Sequence, residues 1–146
     1  MKFANRLSVT ASAVVLALVV SATAKAAPSR YGSYESALSQ LRMARAYIEH
    51  PDSGELHDQE KSAIAEMDAA IHELETVVND GKSLADHPSL DSHLRWIPRL
   101  NKAAELLSKA HDNVQKENDS SGARERALEH IVQARKFVEQ AIALEQ

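Results

Sequence analysis

The groups in this chain that could do chemistry are chiefly imidazoles and carboxylates. Seven histidines (His50, His57, His72, His87, His93, His111 and His130) stand beside 21 acidic residues, and there is no cysteine. That donor set suits a divalent transition metal such as zinc, copper or nickel. Without cysteine there is no thiol nucleophile, no zinc thiolate site and no covalent haem attachment. Four glycines in 146 residues form no phosphate-cradling loop. A di-iron bundle would repeat Glu-x-x-His on two helices, but Ala127 stands where His130 would need the acid, and Asp68 and His72 are four apart. The residues therefore argue against an enzyme and leave reversible binding as the chemistry to place.

Which histidines can meet depends on the elements that carry them. One pattern occurs four times: a small residue followed by apolar, small and apolar residues at offsets of four, seven and eleven. It reads Ala37, Leu41, Ala44, Ile48; Ala63, Met67, Ala70, Leu74; Ala103, Leu107, Ala110, Val114; and Ala127, Ile131, Ala134, Val138. Steps of four and three keep these residues on one face of a helix. The pattern predicts an all-α protein with helices over about 33–50, 58–80, 98–116 and 122–143.

Several residues punctuate these helices. Ser33 is a candidate N-cap, Pro51 stops the first helix, and Asp52 with Glu55 resembles an acidic capping box. Gly81 suits the residue after the second helix, Pro98 suits the first turn of the third, and Ser120 or Ser121 could cap the fourth. With two short loops out of three, the simplest arrangement is an up-down-up-down antiparallel four-helix bundle. The stripes of helices one and three start 66 residues apart and those of helices two and four 64 apart, as a duplicated helical hairpin would give.

The stripe also serves as an angular ruler, at about 100° per residue. It turns Met43 away from the core, which removes a Met43–His130 haem ligand pair, and it sends His72 to solvent. His111 falls nearest the core, level with Arg45 and Arg135, each of which has a glutamate one turn on (Glu49, Glu139). In an up-down-up-down bundle His50, His57, His111 and His130 tend toward one end, with Asp52, Asp58 and Asp119 nearby. That quartet is the candidate metal site, for copper, nickel or zinc. The 81–97 connection is long for a bundle, and within it Trp96 and Ile97 either lid the bundle end or present a partner-binding patch.

In architecture, and in the Ala-x-x-His element Ala127-Leu128-Glu129-His130, the chain resembles small exported metal-binding proteins built from repeated helical hairpins. It also resembles, more loosely, short secreted helical proteins to which no function is attached. The metal-binding resemblance implies binding of divalent metal by histidines on the bundle. The chain departs from that pattern at the matching offset of the other helices, which carry Gln40, Glu66 and Leu106.

The start of the sequence bears on compartment. Lys2 and Arg6 precede an uncharged run from Leu7 to Ala24, followed by Ala24-Lys25-Ala26, the layout of a secretory signal peptide. Cleavage after Ala26 would leave residues 27–146 as one periplasmic or secreted domain. Residues 1–26 hold three of the 17 basic residues and no acid, so the remainder carries 14 bases against 21 acids, a formal charge of −7. That balance disfavours nucleic acid and a membrane surface as partners, and leaves a protein partner open.

Overall fold

The structure, a computed structural model, describes residues 30–49, 56–78, 90 and 94–144. The signal-like residues 1–26, His50, the Asp52/Glu55 pair, Gly81, His87 and His93 lie outside the described residues. Four helices form a bundle: α1 (Gly32–Glu49), α2 (Asp58–Glu75), α3 (Trp96–Lys116) and α4 (Ala123–Leu144). The described residues include no strand.

The fourfold stripe is the core of this bundle. All sixteen stripe residues are at most 2% exposed. Alternating alanines with Leu, Ile, Met or Val lets neighbouring helices approach closely and interdigitate. Tyr34, Leu38, Ile71 and Leu100 fill the remaining core space and are equally buried. As expected, His72 is exposed, while Met43 is only partly buried at the core margin.

Local chemistry sets the helix ends, and it departs from the sequence reading in three places. Ser33 is a residue of α1, not its cap, and its amide donates to Glu117 Oε1 at 2.9 Å. α2 begins with Glu60 accepting the His57 amide at 2.8 Å. It ends at Glu75, several residues before Gly81, where the Thr76 hydroxyl donates to the Glu73 carbonyl at 2.6 Å and Val77 N–H bonds Leu74 O in a tightened final turn. α3 starts at Trp96, two residues before Pro98, which sits in the first turn where its missing donor costs nothing. Before α4, Asp119 accepts from Ser121, and the Ser121 hydroxyl accepts the Ala123 amide at 3.1 Å. Gly122 makes that turn at φ +76°.

Side-chain bonds between helices fix their directions. Arg42 reaches Glu75 and Arg45 reaches Asp68, so α1 and α2 are antiparallel. Ser33 meets Glu117 and Asn113 meets Gln40, so α1 and α3 are antiparallel as well. α4 opposes α2 through Arg126–Glu73 and His130–Glu66, and it opposes α3 through Arg124 and the Gln115 carbonyl. α2 and α3 therefore run the same way.

The order of directions is up-down-down-up, which corrects the simple alternation read from loop lengths. A short loop returns the chain beside its starting end, but 20 residues separate Glu75 from Trp96. Twenty residues can span more than about 60 Å, whereas an 18-residue helix is about 27 Å long. The chain has ample length to cross the bundle before starting α3. Around the bundle α1 neighbours α2 and α3, and α4 neighbours the same two. Like helices thus face each other, α1 on α3 and α2 on α4, as two copies of one hairpin related by a two-fold axis would place them.

Candidate functional site

Reversing α3 rearranges the histidines. His57 begins α2, at the end that holds the C-termini of α1 and α4. His111 and His130 lie toward the opposite end, near the 117–122 turn. The proposed quartet is therefore split, with His50 outside the described residues. His130 Nδ1 lies 2.7 Å from Glu66 Oε2 across the α2–α4 interface. His111 Nδ1 makes only a loose 3.6 Å approach to Asp112 beside it on the same helix. Among the described residues no group of three His, Asp or Glu side chains is placed to hold a metal ion.

The same reversal brings together residues that the sequence kept apart. Trp96, from the partner-patch candidate, lies over His57, from the metal candidate; the rings stack with centroids 5.0 Å apart and planes 11° from parallel. The Trp96 indole N–H donates to Glu60 Oε1 at 2.9 Å, while Oε2 of the same buried carboxylate accepts the His57 amide. One acid thus caps α2 and anchors the tryptophan. Beside this pair a cleft of about 200 Å³ is bordered by His57, Trp96, Ala141 and Leu144. Leu144 is 66% exposed, and with Val132 it is one of two large apolar side chains so exposed among the described residues. Ile97 is half-buried and does not join the core cluster.

The opposite end is closed. Tyr34 is fully buried and donates its hydroxyl to Asp119 Oδ2, while its ring stacks on Tyr31 at 5.8 Å. Burial pushes the Tyr34 phenol above its ordinary range, and the hydrogen bond to the Asp119 carboxylate pushes it further. Burial also pushes Asp119 up, but hydrogen bonds from Ser121 and Tyr34 and the charge of Arg124 outweigh it, so the carboxyl stays below the usual range.

Of the ionisable band expected at the core edge, Arg45 is largely buried, whereas Arg135 and Glu139 are exposed to solvent. Arg45 pairs with Glu49 and also with Asp68 of α2 at 2.6 Å, and Arg135 pairs with Glu139 at 2.8 Å. Sequence reasoning missed Glu60. Its signal was available as an acid three residues after His57 at the start of a periodic run, a capping geometry, but the tryptophan it holds is 36 residues away. None of the described helices is long and apolar enough to cross a membrane. Comparison with protein-family models, curated proteins and solved structures returns no match.

Proposed function

We propose that this chain is a non-enzymatic, exported helical-bundle protein that binds a protein partner through the bundle end at Trp96. The observation that carries this reading is the indole shelf. Stacking on His57 and the bond to Glu60 fix the ring, and among the described residues an apolar cleft with the exposed Leu144 lies beside it. A fixed aromatic next to an open apolar cleft is the form of a hot-spot anchor, since little conformational entropy remains to be lost on binding. The stripe, by contrast, is consumed by packing and offers no reactive group. Low-affinity binding of copper, nickel or zinc, the other reading of the sequence, would need ligands beyond the split histidines.

Trp96 is the only tryptophan in the chain, so a 5-fluorotryptophan label places a single fluorine NMR signal at this end. The expected result is a shift of that signal when unlabelled exported proteins of the source cells are added, abolished by Leu144→Glu. A signal that is the same with and without those proteins, or a shift that survives Leu144→Glu, would sink the proposal.

A further inference from the structure

Arg45 and Arg135 occupy matching places on α1 and α4, and their surroundings differ in one respect. Arg45 is saturated: Glu49 takes it one turn along its own helix, and Asp68 takes its Nε from the neighbouring helix. Among the described residues Arg135 has only the first kind of partner, Glu139. Where a second carboxylate would come from the facing helix, α3 offers Leu107 and His111, neither of which is an anion. Between them lies a groove of about 250 Å³ lined by Leu107, His111, Ile131, Val132, Arg135, Lys136 and Glu139.

The two sides of this groove ask for different things. Its inner side is apolar, since Leu107 and Ile131 are core residues and Val132 is left 51% exposed at the margin. Its rim is cationic: Arg135 and Lys136 stand against the single acid Glu139, with His111 alongside. Among the described residues Lys136 has no ion pair. The rim thus carries net positive charge on a protein whose overall formal charge is −4. A guanidinium presents donors in a fork that fits a carboxylate through two hydrogen bonds, and at this one only the Nε donor is engaged within the described structure.

We infer that the α3–α4 groove binds a small amphipathic carboxylate. The carboxylate takes the second-acceptor place on Arg135, Lys136 adds charge, and a short acyl chain or single aromatic ring lies on the exposed Val132, with the buried Leu107 and Ile131 behind it. The volume falls below the range typical for drug-sized ligands, about 300–1,000 Å³, which limits the ligand to that size. This groove lies on the flank of the bundle and does not depend on the Trp96 end.

The test is a titration of the full-length protein with hexanoate, followed by methyl and Arg Nε–H NMR signals, with hexanol and inorganic phosphate as separate probes. Hexanoate should produce saturable shifts confined to Leu107, Ile131, Val132 and Arg135. Arg135→Gln should weaken binding roughly tenfold, equivalent to about 1.4 kcal/mol, and Val132→Asp should do at least as much. Glu139→Gln should strengthen binding, because it frees the guanidinium, an effect that a merely structural ion pair would not show. These side chains are on the surface, so the variants should keep the wild-type unfolding midpoint. The inference is overturned by any of four results: no saturable shift, hexanol binding as tightly as hexanoate, phosphate matching hexanoate, or hexanoate affinity unchanged in Arg135→Gln.

Discussion

Each end of the bundle ties an aromatic side chain to a carboxylate, yet among the described residues one end is sealed and the other is open. At the sealed end Tyr34 lies wholly inside and its hydroxyl meets Asp119 of the 117–122 turn. At the open end Trp96 is only half-buried, its N–H meets Glu60, and it borders a cleft together with Leu144. The sealed end is crossed by a six-residue turn whose Asp119 and Ser121 satisfy one another and the start of α4. At the open end Trp96 is the first residue of α3, and residues 50–55, 79–89 and 91–93, which lead into α2 and α3, lie outside the described residues. The self-satisfied turn buries Tyr34, while the start of α3 holds Trp96 half-buried.

Substitutions can break this comparison by unequal amounts. Leu107→Ala or Ile131→Ala, in the shared core, should cost about 2–5 kcal/mol in denaturant unfolding and weaken both ends together. Tyr34→Phe should cost about 1.5–3 kcal/mol, since it removes a buried donor from a charged acceptor at the sealed end. Trp96→Phe takes the donor from Glu60 but leaves a ring on His57, and about 1 kcal/mol is expected. Leu144→Ala should change stability by less than about 0.5 kcal/mol, because this residue serves the cleft and not the fold. If Trp96→Phe proved costlier than Tyr34→Phe, the distinction between the two ends would fail.

The sealed end should also show in the pH profile of stability. Folded Tyr34 keeps its proton to higher pH than the unfolded chain, so its contribution is complete below about pH 10 and drains away as pH rises beyond it. Asp119 works in the opposite sense: its contribution is complete above about pH 4 and is lost as pH falls through the depressed folded value. Tyr34→Phe should therefore flatten the alkaline limb of an unfolding-midpoint profile, whereas Trp96→Phe should leave that limb in place.

The fold was largely legible in the sequence because periodicity is a local signal. The stripe identified sixteen core positions, and its phase put His72 in solvent; it also turned Met43 away from the core, whereas Met43 packs partly buried against it. The i,i+4 pairing of Arg45 with Glu49 and of Arg135 with Glu139 was likewise readable from spacing. Helix direction was not. Helical spacing is the same whichever way a helix runs, and a 20-residue connection allows either direction. An alternating bundle would put His57 at the same end as His111, whereas the reversed α3 puts it beside Trp96. The Arg135 groove was hidden for a related reason, because recognising it requires knowing what faces Arg135 across α3.

The parallel run of α2 and α3 is the claim on which the open end rests, and spin-label distances test it directly. The chain has no cysteine, and Glu35, Asn101 and Gln115 are exposed, so pairs of Glu35→Cys with Asn101→Cys and of Glu35→Cys with Gln115→Cys can be labelled cleanly. Residues 101 and 115 are separated by about 21 Å along α3. With α3 antiparallel to α1, the 35–115 distance is the shorter of the two. A shorter 35–101 distance would mean that α3 runs parallel to α1 and that Trp96 and His57 lie at opposite ends.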